Sequence, residues 1–368
     1  MTTMMMMMSF KRSFLPAAGL ALLALFLRAG ARLIPGFADA YAAMTNAFWV
    51  NSLGRLFSIF PFSFVEFSIY ALLLLLLFRL ILLAVSARAR KNFPQAFGAW
   101  LLLIAVVFFL FEANEDVYFY RTPFSSFHGI GNGEYSTEDL AETARMLAEE
   151  ANRYGALVQR DENGIMQLGG RAGARTAGAM EELGELYPEL SGWYPRPKPI
   201  AVSRLMSLVN MSGIYSAYTI EANYNREMLP YNIPFTMSHE LSHLKGILME
   251  NEANFAAYLN CMNADDADIH YSGALLGWIY CGNELYRRDR ELWRGIAATL
   301  APEVNADLDA NTEFWKRMEG RASEAAESFN DSYLKAHGQA DGTKSYDRVV
   351  DLIVSYENEK RTQKDGSR

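Results

Sequence analysis

Two cysteines in 368 residues are too few for a disulfide framework in a chain of this size. Neither Cys261 nor Cys281 belongs to a C-x-x-C pair, which excludes a cysteine-based zinc knuckle and a dithiol redox motif. They are expected as free buried thiols or as one bridge. Histidine is scarce as well, with five in the chain. Positive charge is in the minority: 34 Lys and Arg against 42 Asp and Glu give a formal charge of -8. No basic patch stands out in the C-terminal two thirds, and that argues against a nucleic-acid partner. Long apolar runs are missing after about residue 114; all of them lie in the first third.

Those runs are "SFLPAAGLALLALFL" from Ser13 to Leu27, "FSFVEFSIYALLLLLLFRLILLAV" from Phe62 to Val85, and "FPQAFGAWLLLIAVVFFLF" from Phe93 to Phe111. At about 1.5 Å per helical residue the second is long enough to cross ~30 Å of hydrocarbon, and the third is a further candidate. The first is short. It follows Lys11 and Arg12 and is expected either to span or to be removed as a signal, since small residues follow it in "LRAGARL". Arg88, Arg90 and Lys91 crowd the loop between the second and third runs, whereas "EANEDVYFY" after the third is acidic. The positive-inside rule then puts that loop in the cytoplasm and everything after residue 114 outside. Glu66 and Arg79 lie near the two ends of the second run, where an anchor tolerates them. The expected organisation is a multi-pass membrane domain over 1–114 with about three transmembrane helices, a globular domain over 115–360, and a polar, disordered tail over 361–368.

Within the globular part, "YSTEDLAETARMLAEEANRYGALV" starts with a Ser136 or Thr137 cap and carries Leu140, Ala144, Leu147 and Ala151 on one stripe, the pattern of an amphipathic helix. A Gly-rich linker, "QLGGRAGART", leads to a second helix that ends before the prolines at 195–199. "SGIYSAYTIEANYN", Ser212 to Asn225, is aromatic and β-branched with rough alternation and reads as a strand or hairpin. Glu221 inside it is expected to face solvent. Pro230, Pro234 and Thr236 signal a helix start, and further helices are expected to the end of the chain. The fold class is thus an α-helical transmembrane N-terminus followed by a mostly α, α+β domain with a small sheet.

The chemistry is concentrated in "PFTMSHELSHLKGILMENEANFAAYL", Pro234 to Leu259. On a helix, His239 and His243 project onto one side one turn apart and can bind one ion, with Glu240 flanking them. An imidazole pair suits Zn²⁺, and a catalytic zinc takes a third protein ligand and leaves a fourth position for water. Gly246, three residues after His243, can take φ > 0 and turn the chain back toward the metal. Metzincins resemble this as far as the glycine, but where they place a third histidine this chain has Met249. The helix that follows, "MENEANFAAYL", is similar instead to the E-x-x-A-D or E-x-E-A-N helix of membrane-anchored gluzincins and of ImmA/IrrE-type metallopeptidases. That resemblance implies Glu250 as the third ligand and Asn254 as a group hydrogen-bonded to a ligand imidazole, with Glu252 or a more distant carboxylate as the alternatives. Glu250, Asn254, Ala257 and Cys261 share one helical face and Glu252 does not. Six residues between His243 and Glu250 are far fewer than in most gluzincins.

The hydrophobic N-terminus, with "SGIYSAYTIEAN", the histidine segment and "SFNDSYLKAHGQADGTKSYDRVVDLI", also resembles a family of bacterial proteins catalogued as a domain of unknown function. The resemblance implies membrane spans followed by a zincin-like outer domain. The expected activity is metallopeptidase hydrolysis of a peptide or protein substrate, with Zn²⁺ as cofactor and Glu240 as the base that takes a proton from the activated water. The oxyanion donor is open among Tyr215, Tyr218, Tyr224, His270, Tyr346 and Arg348. His128 and His337 have no partner at ligand spacing. Ser212–Asn225 is either an edge strand that receives substrate or an interior strand. The competing expectations are a zinc domain without catalysis and a membrane protein without metal, and no protein partner is indicated.

Overall fold

In the computed structural model, residues 2–87, 93–131, 134–337, 339 and 348–366 are described. Arg88, Arg90 and Lys91, on which the orientation rests, and Tyr346 lie outside them. The chain forms two compact units, Met1–Arg121 with Ser216–Ile220, and Thr122–Tyr215 with Glu221–Arg368.

The first unit contains α1 (Thr2–Leu33), α2 (Phe37–Trp49), α3 (Phe64–Val85) and α4 (Phe93–Asn114). Three stretches, Ser13–Leu33, Phe64–Val85 and Ala96–Tyr120, are helical, long and apolar enough to cross a membrane. The α1 and α4 helices pack along one another with their C-terminal ends together. Leu27, Ala113 and Val117 form a buried cluster there with Ala38 of α2, and the Arg28 guanidinium grips Glu112 at 2.5 and 3.1 Å. The α3 helix leaves leucines 72–77 exposed around its surface, which suits contact with lipid rather than with protein. Ser63 caps it by accepting from the Glu66 N–H at 3.3 Å, and Tyr70 donates to the Glu66 carboxylate at 2.5 Å. The α2 helix is not legible as an apolar run, because its alternating small and aromatic residues are too few and too polar to stand out.

The second unit is mostly helical. The α5 helix (Thr137–Gly155) begins in a capping box between Ser136 and Asp139, and α6 (Ala172–Leu186) starts inside the glycine-rich stretch. A three-stranded sheet follows: β1 (Lys198–Pro199), then the short helix α7 (Ser203–Leu208), β2 (Gly213–Ser216) and β3 (Glu221–Tyr224). The order is β1-β3-β2, with β1 parallel to β3 in the register Lys198↔Asn223. Then come α8 (Asn232–Leu244), α9 (Glu250–Asn263), α10 (Ala267–Arg288), α11 (Arg290–Ala297), α12 (Pro302–Lys316), α13 (Arg321–Ala336) and α14 (Val349–Gly366). The α10 helix packs on α5, α8 and α9, and α14 closes over α5, α9 and α10. The core is built around α9, whose residues from Glu252 to Cys261 are all buried.

Two expectations are corrected. Glu221 does not face solvent: it is 2% exposed and ion-paired with the buried Lys198 at 2.5 Å, because β3 is the central strand and a carboxylate there needs a partner. Residues 361–366 are not disordered but continue α14, and Arg361 reaches Thr143 and Glu142 of α5. The two cysteines are free and buried; burial raises the Cys261 thiol pKa to about 12.

Candidate metal centre

The α8 helix ends in a turn whose geometry positions the His243 imidazole. Gly246 takes φ +80, its N–H bonds the His243 carbonyl at 2.8 Å and the Ile247 N–H bonds the Ser242 carbonyl at 3.2 Å. This is the Schellman pair of hydrogen bonds, and the left-handed residue it requires is most easily a glycine. The reversal brings the Ile247 carbonyl back to 2.8 Å from His243 Nδ1. Lys245, buried beside the turn, donates to the carbonyls of Ser191 and Trp193 at 2.7 and 3.3 Å and fixes the end of the helix.

Four residues after the turn, α9 begins at Glu250. Glu250 Oε2 lies 3.2 Å from His239 Nε2 and 3.9 Å from His243 Nε2. The two imidazoles stand 4.5 Å apart with their planes at 83°. One turn along α9, Asn254 Oδ1 lies 2.8 Å from His239 Nδ1. Each Nδ1 therefore faces an oxygen acceptor, which sets the proton there and turns each Nε2 lone pair toward Glu250.

Donor atoms from His239, His243 and Glu250 all lie within 4.8 Å of one another. A tetrahedral zinc bonded at about 2.0–2.1 Å would set neighbouring donors roughly 3.4 Å apart, close to the two distances to Glu250. Two neutral nitrogens and one carboxylate match the three-ligand set of an open zinc site. The two imidazoles shift in opposite directions. Burial works against a charged His239, but the Glu250 hydrogen bond and charge, with Glu240 and Asn254, outweigh it and raise its pKa. Burial and the neighbouring His239 push His243 down to about 4, so it offers a free lone pair at neutral pH.

Glu240 is 4% exposed and is packed against β2. A Cβ added to Gly213 would overlap its carboxylate, so the absence of a side chain at Gly213 is what makes room for Glu240. An isolated glycine opening a strand signals close approach of another group, and this is the one local trace in the sequence of the contact with Glu240. Tyr215, two residues along β2 from Gly213, has its ring 6.5 Å from that of His243.

The other singled-out residues go elsewhere. Glu252 accepts from the N–H and hydroxyl of Ser125 at 2.8 and 2.9 Å, away from the imidazoles. His270 stacks on Tyr154 at 3.8 Å and meets Glu150. His128 pairs with Glu189 at 3.0 Å, and His337 lies against the Tyr333 carbonyl. Tyr224 packs beside Met228, Ile233 and Met237, Tyr218 belongs to the segment grouped with the first unit, and Arg348 is exposed at the start of α14.

A family model described as "Protein of unknown function (DUF3810)" matches residues 41–354, which takes in most of α2, all of α3 and α4, and nearly all of the second unit. No curated protein and no solved structure matches the chain.

Proposed function

We propose that this chain, which belongs to the DUF3810 family, is a membrane-anchored zinc metallopeptidase that cleaves a peptide or protein substrate outside the cytoplasm. The observation that carries this is the convergence of His239 Nε2, His243 Nε2 and Glu250 Oε2 on one point, with both Nδ1 atoms held by acceptors. The four-residue spacing of His239 and His243 around Glu240, on one helix, supports a zincin-like domain. When bound there, zinc polarises a carbonyl and lowers the pKa of water to about 7.

The chain's own residues supply the rest. Glu240 sits one residue from His239 and is not needed to hold the ion, so its carboxylate is available to take a proton from the attacking water and return it to the leaving amine. Burial of Glu240 beneath β2 restricts its rotamers and keeps that carboxylate beside the imidazoles. Of the candidate oxyanion donors we take up Tyr215, whose ring lies 6.5 Å from that of His243. Alternation of arginine and lysine in the 88–91 loop with the acidic flank after α4 supports an outer location for the site.

The test compares full-length wild type with His239→Ala and Glu240→Gln. Wild type is expected to purify with about one zinc per chain, and His239→Ala to lose it. Glu240→Gln should keep zinc and fold but lose several orders of magnitude in turnover on a peptide library, because the amide cannot accept the proton. Zinc in both wild type and Glu240→Gln, with no chelator-sensitive product from either, would make this a non-catalytic zinc domain.

A further inference from the structure

Large apolar side chains are exposed at Val202, Leu205, Leu208, Met211 and Ile214 (40%, 60%, 37%, 38% and 43%). All five fall in the single stretch that leads from β1 into β2. The spacing explains the first three. Residues three apart share a helical face, so Val202, Leu205 and Leu208 line the outer side of α7. The inner side is fixed: Ser203 Oγ accepts from the Arg226 N–H at 3.0 Å, Ser207 Oγ accepts from Asn225 Nδ2 at 3.0 Å, and Met206 is buried. Asn210, at φ +55, then turns the chain, and Met211 and Ile214 continue the apolar series into β2. A soluble surface seldom gathers such a row without a partner.

The chain's continuity names the partner. Two residues after Ile214 begins Ser216–Ile220, the segment that groups with the apolar helices of the first unit, and Asn114 Nδ2, at the C-terminal end of α4, donates to the Ala217 carbonyl at 3.1 Å. Three residues of extended chain span at most about 10 Å, so the chain tethers Ile214 within that distance of Ala217. Arg204, between Val202 and Leu205, is 56% exposed beside Glu227, and Arg226 is exposed with its guanidinium on the Ala201 carbonyl. Apolar side chains rimmed by arginine are the composition of a surface that rests in the headgroup region of a bilayer.

We propose that the outer face of α7, with Met211 and Ile214, docks into the lipid surface and holds the edge of β2 at the membrane. Gly213 and Tyr215, which flank Ile214, are the β2 residues beside Glu240 and His243, so docking would present the candidate metal centre to substrates at or emerging from the bilayer. The docking itself does not depend on the peptidase proposal and is read without zinc or turnover.

The experiment places a nitroxide on Leu205→Cys, on Leu208→Cys and, as a control, on Leu157→Cys, which is exposed on the loop after α5 (63%). Cys261 and Cys281 are buried, and unlabelled incorporation is checked on wild type. Each full-length protein is reconstituted into vesicles of phosphatidylcholine and phosphatidylglycerol, and collision with oxygen is compared with collision with a water-soluble nickel chelate. The expected ratio of oxygen to nickel accessibility is several-fold higher at 205 and 208 than at 157. Equal ratios at the three positions would overturn the proposal, and so would an immobilised nitroxide shielded from both reagents, which would mean that protein covers the patch. Two labelled positions keep the result readable if one variant misfolds.

Discussion

Asn254 follows Glu250 by one helical turn, and that single spacing lets α9 supply both a candidate ligand and the acceptor that orients the His239 imidazole. Removing the amide leaves His239 free to rotate and to carry its proton on either nitrogen. Asn254→Ala is therefore expected to weaken zinc binding roughly 10 to 100-fold, measured by competition with a chromogenic chelator, while the fold persists. Gly213 acts on the other side of the site. Gly213→Ala puts a methyl group where the Glu240 carboxylate lies, so either the strand or the glutamate must move. Turnover is expected to fall at least tenfold with zinc content unchanged, since misplacement of a proton-transfer group by a fraction of an ångström costs rate rather than metal. Loss of zinc in Gly213→Ala would show instead that β2 supports the ligands.

The α9 helix shows at the element scale why periodicity alone is a poor guide. It is buried on every side, so it has no polar face to alternate with an apolar one, and a sequence such as "ENEANFAAYLNC" reads as weakly amphipathic. Its buried polar side chains meet partners one at a time: Glu252 accepts from Ser125, Asn260 Nδ2 donates to Ser238 at 2.8 Å, and Tyr258 donates to Glu357 at 2.9 Å. The sheet makes a comparable demand. Lys198 on β1 neutralises Glu221 on β3, and the pair is buried. Lys198→Met is expected to destabilise the protein by about 3–5 kcal/mol, because it strands a carboxylate away from water. Adding Glu221→Leu should recover much of that loss. Thermal unfolding of the single and double variants in detergent checks both.

For the whole molecule, the informative fact is that α1 and α4 end side by side. Arg28 and Arg32 of α1 lie against Glu112 and Asp116 near the end of α4, so these arginines are neutralised where they sit and do not weigh against the basic loop at 88–91 as an orientation signal. The ends of α1 and α4 lie together, and the positive-inside reading of the basic sequence at 88–91 predicts that both ends lie outside the cytoplasm. A reporter enzyme that works only outside the cytoplasm is expected to be active when fused after Tyr120 and inactive when fused near residue 90. The reverse would put the candidate metal centre in the cytoplasm.

The sequence by itself determined the local features. Apolar length marked the three membrane-crossing candidates, Ser136 and Asp139 the start of α5, and the spacing of His239, Glu240 and His243 the paired imidazoles, since each depends on neighbours within a few residues along the chain. Glu250 and Asn254 were legible through resemblance and helical spacing, and Gly246 through the single backbone conformation a sharp turn needs. Tertiary structure decided what depends on residues far apart. That β1 forms at Lys198–Pro199 and makes Glu221 a buried ion pair follows from which strand lies in the middle of the sheet. That Gly213 faces Glu240 follows from how β2 lies on α8, and that Glu252 serves Ser125 rather than a metal follows from what packs on the far side of α9. No pattern along the chain encodes those distances, because each is fixed by packing between segments whose separation in sequence leaves no periodic trace.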